Sequence, residues 1–118
     1  MRQGRDVVFD RVNWTKKEAS VVDKIEFVLN RAVETNPLCG EDNWKIIFKT
    51  YVFLGKKGKR SVVLSVGWKT TIDGEKYGSY FFIKNPEVNA AQANSLIKMA
   101  KEHSEQTISK IGTSAGPA

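Results

Sequence analysis

The sequence predicts an α+β domain: an antiparallel β-sheet of three to four strands, with an N-terminal and a C-terminal amphipathic helix packed on one of its faces. Two changes of hydrophobic period and two glycine turns carry that expectation. Apolar residues recur at helical spacing up to Val33, alternate with a period of two between Trp44 and Lys84, and return to helical spacing from Ala93. Gly55-Lys56-Lys57-Gly58-Lys59 and Ile72-Asp73-Gly74-Glu75 cut the alternating stretch into three strands.

Taken in order, residues 1–14 form an N-terminal arm with a short β-like run, Val7 to Phe9. Thr15-Lys16-Lys17-Glu18 reads as a capping box, in which the Thr hydroxyl accepts from a free helix N–H and the Glu carboxylate reaches back to the cap. The helix it opens has an apolar stripe of Val21, Val22, Ile25, Val28, Leu29, Ala32 and Val33 and stops at Asn36-Pro37. In the run from Trp44 to Leu54, Trp44, Ile46, Phe48, Thr50, Val52 and Leu54 share one face, while Lys45, Ile47, Lys49, Tyr51 and Phe53 share the other. The next strand puts Val62, Leu64, Val66 and Trp68 on one face, and the third sets Tyr80, Phe82 and Lys84 against Ser79, Phe81 and Ile83. Asn85-Pro86-Glu87 reads as a helix start, with Asn as cap, Pro at the first helical position and an acid in the first turn. The stripe Ala93, Leu96, Ile97, Ala100, Ser104, Thr107, Ile108 and Ile111 continues that helix to Gly112, so a single domain spans 15–111 and 112–118 is a flexible tail.

Length and composition bound the function. A chain of 118 residues with 41% apolar and 27% charged residues builds one core. The longest apolar run is four residues, far short of the roughly 20 that span a bilayer, and the polar start MRQGRDVVFD lacks the apolar stretch of a signal peptide. The expectation is an intracellular protein, cytoplasmic or, in a eukaryote, nuclear, with no membrane partner. One cysteine, Cys39, and one histidine, His103, leave no set of ligands for structural zinc and no His-based triad. His103 is expected on the surface, and Cys39 has no neighbouring base to activate it. Asp73 and Glu75 are explained by their turn, and GKKGKR lacks the spacing of a phosphate-binding loop. Neither catalysis nor a metal or cofactor is expected.

The formal charge of +6 is localised. Between Asn43 and Lys84 stand nine basic residues, Lys45, Lys49, Lys56, Lys57, Lys59, Arg60, Lys69, Lys76 and Lys84, against the two acids Asp73 and Glu75, which makes this segment +7 and the rest of the chain −1. A localised basic surface points to a polyanionic partner. With the apolar strand faces in the core, the open face shows Lys45, Lys49, Tyr51, Phe53, Ser65, Lys69, Tyr80, Phe82 and Lys84, and Lys56, Lys57, Lys59 and Arg60 project from a basic hairpin tip. Cations interleaved with aromatics suit a single-stranded nucleic acid, because lysines neutralise phosphates and aromatic rings stack on bases of any sequence. The competing assignment makes Phe53, Tyr80 and Phe82 core or dimer-interface residues and the lysines guards of exposed strand edges.

Residues 62–87, VVLSVGWKTTIDGEKYGSYFFIKNPE, resemble the single-stranded-DNA-binding transcriptional coactivator family called positive cofactor four. The shared features are an alternating strand ending in Trp68, the turn Asp73-Gly74-Glu75, Lys76 and Gly78 before the next strand, and Asn85-Pro86-Glu87. The preceding strand and Gly-Lys turn extend the similarity to residues 44–101. The resemblance implies a curved antiparallel sheet backed by a helix, dimerised through that helix, holding single strands on basic strands and aromatics, with Lys45, Lys49, Lys69 and Trp68 carried over. The family has four strands before its helix, whereas here three are clear and a helix precedes them. Helix, three strands, helix is also the order of double-stranded-RNA-binding domains and of the small Alu-binding proteins of the signal recognition particle. The first of these opens its last helix with a Lys-rich cluster, where this chain has IKNPEVNAAQANS.

The expected function is nucleic-acid binding, single strands (DNA or RNA) before duplex, without a cofactor. A homodimer is expected too, because Ala93, Ala100 and Ser104 are small enough for a second copy to approach. The alternatives are a protein-interaction or assembly module and a double-stranded-RNA-binding domain.

Overall fold

The computed structural model describes residues 7–115, and side chains for residues 7–110. Four strands, β1 (Val7–Phe9), β2 (Trp44–Leu54), β3 (Arg60–Ile72) and β4 (Glu75–Lys84), form one antiparallel sheet in the order β1-β2-β3-β4. Helix α1 (Lys16–Thr35) is inserted between β1 and β2, and α2 (Ala90–Ala115) follows β4. The fold is therefore α+β. The Val7–Phe9 run is a true strand, pairing Val7 with Leu54 and Phe9 with Val52. Four strands are thus present, but α1 separates the first from the rest.

Each boundary has a local cause. The capping box at α1 is complete: Glu18 N donates to Thr15 Oγ1 at 3.1 Å and Thr15 N to Glu18 Oε1 at 2.9 Å. Between β3 and β4, Asp73 (φ 52°) and Gly74 (φ 83°) both occupy the left-handed region, as a two-residue hairpin turn requires. The expected helix start at Asn85-Pro86-Glu87 is corrected. Asn85 takes φ 47° and ends the strand instead, and α2 begins at Ala90. The cap is Asn89, whose Oδ1 accepts from Gln92 N at 2.9 Å while Asn89 N donates to Gln92 Oε1 at 3.1 Å. The helix continues through Gly112 to Ala115, so the expected tail from 112 is helical over its first four residues, while residues 116–118 lie outside the described residues.

The core joins Ile25, Leu29 and Ala32 of α1, Ala93, Leu96, Ile97 and Ala100 of α2, and Trp44, Leu64, Val66 and Trp68 of the sheet. Filling such positions is worth roughly 1.5–3 kcal/mol per large side chain. Val21, expected in the α1 stripe, is exposed. Two buried tryptophans dock α2 onto the sheet, since an indole N–H taken from water needs an acceptor. Trp44 Nε1 donates to Ser104 Oγ at 3.1 Å, and Trp68 Nε1 donates to His103 Nδ1 at 2.9 Å. His103 also sits edge-on to Trp68 and Phe81, with ring centroids 5.8 and 5.9 Å away. It is a half-buried acceptor of the fold, and the surface position expected for it is corrected. Ala93, Ala100 and Ser104, expected to receive a second copy, are buried within the one chain.

Phe81 packs against the core and His103, whereas its neighbour Phe82 is 59% exposed on the other face of β4. Phe81→Ala is expected to cost about 3 kcal/mol of folding free energy, the low end for a buried Phe. Phe82→Ala should move stability by less than about 1 kcal/mol, as exposed substitutions do. Chemical denaturation of both variants measures the difference, and equal losses would overturn the face assignment.

Candidate functional site

The pairing register assembles the site. Lys45, Ile47, Lys49, Tyr51 and Phe53 of β2 stand opposite Lys69, Gly67, Ser65, Val63 and Ser61 of β3. Gly78, Tyr80, Phe82 and Lys84 of β4 stand opposite Lys69, Gly67, Ser65 and Val63, and Lys76 stands opposite Thr71. Val8 of β1 pairs with Phe53. Because alternate residues share a face, one surface carries Lys45, Lys49, Lys69, Lys76 and Lys84 together with Tyr51, Phe53, Tyr80 and Phe82. These are nine of the expected site residues, and no position of β2, β3 or β4 on this surface is acidic.

The surface is a trough. From Ser61 to Gly67 β3 contributes small side chains, Ser61, Val63, Ser65 and Gly67, while β2 and β4 on either side contribute longer ones; at the basic end the pattern inverts, with Lys69 of β3 beside Gly78 of β4. One depression of about 500 Å³ lies over Ser65 and Gly67 between Lys49 and Tyr80. It shares Tyr51 and Phe82 with a second of about 590 Å³, which Val8, Phe53, Val63 and Lys84 complete. At its other end it shares Lys69 with a third of about 260 Å³ that includes Lys45, Lys76 and the side of Asp42. Tyr51, Phe53 and Phe82 thus gather towards one end, with Lys84 beside them, and Lys45, Lys69 and Lys76 at the other, joined by a floor that includes Ser65 and Gly67. Tyr80 and Phe82 lie with ring centroids 5.2 Å apart and are 62% and 59% exposed, which removes them from the core.

Like charges meet on this surface. Lys45 and Lys69 face each other directly across β2 and β3, an arrangement that destabilises a sheet by like-charge repulsion. Among the described residues none of the five lysines on this surface pairs with a carboxylate; the ion pairs present involve Arg11, Arg60 and Lys101. A polyanion along the trough would relieve that repulsion.

Two expected site residues are elsewhere. Trp68 is 2% exposed, on the core side of β3, with its indole N–H committed to His103, so it cannot stack on a ligand. Arg60 does not project from the tip. Its Nε and Nη2 donate to Glu18 Oε2 and Oε1 at 2.8 and 2.7 Å, Nη2 also donates to Asn13 O at 3.1 Å, and its guanidinium lies 3.7 Å from the centroid of the Phe9 ring. Lys56, Lys57 and Lys59 remain exposed on the turn, where Gly58 supplies φ 75°. The sequence reading missed Val8, Val63, Gly67 and Gly78. For Val63 and Gly67 the signal was the run of small residues at alternate positions of β3, which means something only once the register is known; Val8 and Gly78 join the site through their pairing with Phe53 and Lys69. Burial pushes the Cys39 thiol up, away from a reactive thiolate. No group of three or more His, Cys, Asp or Glu side chains among the described residues is placed to hold a metal, and no helix is long and apolar enough to cross a membrane.

Neither a family model nor a curated protein nor a solved structure matches the chain.

The hydrogen bonds from Arg60, aided by the Thr15 N–H, hold the Glu18 carboxyl down at about 2 from the ordinary 4.5. A carboxyl with a depressed folded pKa stabilises the native state above its unfolded pKa, and that contribution fades as pH falls through the folded value. Stability should therefore fall with acid between pH 4.5 and about 2, and Glu18→Gln should flatten that part of the profile. Thermal melts of both proteins across this range test it. Parallel profiles would show that the pair is not formed.

Proposed function

We propose that the chain binds single-stranded nucleic acid along the trough, with both helices backing the opposite face of the sheet. The observation that carries this reading is the join between a basic end and an aromatic end on one face whose positions on β2, β3 and β4 carry no acid. Phosphates would neutralise Lys45, Lys49, Lys69, Lys76 and Lys84, with Lys56, Lys57 and Lys59 extending the path beyond the aromatic end. Bases would lie on Tyr51, Phe53, Tyr80 and Phe82, where each stacked base is worth roughly 1–3 kcal/mol. The walls stand on β2 and β4, two strand spacings or about 10 Å apart. A floor of that width suits a single nucleotide chain laid along it. The resemblance to the positive cofactor four family favours the same partner class.

A protein-interaction surface accounts for Tyr80 and Phe82, and accounts for the facing Lys45 and Lys69 where the protein partner is acidic.

Fluorescence anisotropy with single-stranded DNA, single-stranded RNA and duplex at two or more salt concentrations tests the proposal. Single strands should bind more tightly than duplex. The slope of log K against log[salt] should approach about −3.5 if all five face lysines each neutralise a phosphate, at about 0.7 per contact. The double substitution Lys45→Ala, Lys69→Ala should flatten it by about 1.4. Phe82→Ala should weaken binding by roughly 1–3 kcal/mol at an unchanged slope. Binding that is absent, or insensitive to salt, would overturn the proposal.

A further inference from the structure

We propose that the gap at Gly67 is a slot for one unpaired nucleobase, held between Tyr80 and Ile47 with its phosphate towards Lys69. The inference rests on the nucleic-acid reading and adds to it a defined position where a base, rather than the backbone, is gripped.

Neither a left-handed turn nor a close backbone contact accounts for Gly67. Gly67 sits in the interior of β3, opposite Ile47 of β2 and Tyr80 of β4. Positive φ among glycines is confined, within the described residues, to Gly58 and Gly74, so no left-handed turn demands it. A Cβ built there would meet Ile47 O at 3.5 Å, Tyr80 Cβ at 3.6 Å and Ser79 O at 3.7 Å, which are ordinary contacts. Gly78 differs, because a Cβ there would approach Trp68 O at 3.1 Å. Glycine weakens a strand interior, the unbroken register on both sides of Gly67 leaves no bulge to explain it, and room for the close approach of another group is a use that fits.

The dimensions suit a base. Ile47 and Tyr80 are one strand to either side of Gly67, so their backbones stand about two strand spacings, roughly 10 Å, apart. A planar ring held between two side chains needs about 7 Å, twice a carbon contact distance of 3.5 Å. Both walls are exposed, Ile47 at 39% and Tyr80 at 62%. Along β3 the gap is bounded on one side by Ser65, whose hydroxyl can meet a base edge, and on the other by Lys69. An apolar wall, an aromatic wall and a cation two residues along make a site for a planar, nitrogen-rich ring attached to a phosphate. The occupant is thus a base of the same single strand whose phosphates meet the lysines.

The test compares oligothymidylate with an abasic oligodeoxyribonucleotide of the same length, each labelled with fluorescein, on the wild-type protein and on Gly67→Val. The wild type should prefer the base-bearing strand by at least tenfold, as stacking of one or more bases implies. Gly67→Val fills the gap with a side chain suited to a strand. It should lower that preference by about tenfold, with the loss falling chiefly on the base-bearing strand and the salt dependence, set by the lysines, little changed. Circular dichroism melts check that the variant folds. If it does not, Gly67→Ala, whose added methyl makes only ordinary contacts, should show a smaller loss in the same direction. A preference unchanged in the folded variant, or an equal loss for both oligonucleotides, overturns the slot and leaves the nucleic-acid reading standing. A wild-type protein that binds neither strand overturns both.

Discussion

A slip of β2 against β3 by one residue would turn Trp44, Ile46, Phe48 and Val52 towards water and drive Lys45 and Lys49 into the core, because strand side chains alternate with a period of two. The register in which Trp44 faces Thr70 and Leu54 faces Arg60 is therefore the constraint on which the molecule depends. It puts the residues that fold the chain on one surface and the unpaired lysines and exposed rings on the other. The apolar pattern of the core side enforces it, and the repulsion between Lys45 and Lys69 is tolerated as its consequence.

The same register separates two kinds of tryptophan and arginine chemistry from the trough. Trp44 and Trp68 occupy even positions, and their indole N–H groups dock α2 through the adjacent residues Ser104 and His103. Arg60, at the end of β3, gathers β1, the loop at Asn13 and the first turn of α1 through Phe9, Asn13 and Glu18. A side chain so committed is a structural fastener. The cations left for a ligand are lysines on long, mobile stems, which bind phosphates as point charges and carry little sequence information.

Much of this was legible in the sequence, and the parts that were not have a common cause. Strict alternation over β2 and β4 sorted their lysines and aromatics correctly, because period two leaves only one choice of face once the core side is known. The capping box was readable because both of its members lie within one turn. Arg60 and His103 were misplaced because their partners are 42 and 35 residues distant, and nothing local announces them. Trp68 entered the site through a resemblance of motif, although its own alternation put it with the core. Asn85-Pro86 carried the signature of a helix start yet forms a reversal, since the same residue types also serve turns. Gly67 acquires meaning only from its two cross-strand neighbours, which no linear reading supplies.

Methyl-resolved NMR of the Ile, Val and Leu side chains, recorded while oligothymidylate is added at low salt, asks most directly which surface meets the ligand. Val8, Ile47 and Val63 report on the trough, Val22, Leu29 and Ile97 on the core, and Val21 on the outside of α1. Shifts concentrated at Ile47, Val63 and Val8, with the core and Val21 methyls unmoved, are the predicted result. Shifts at Val21 with Ile47 unmoved, or no shift at any methyl, would contradict the account.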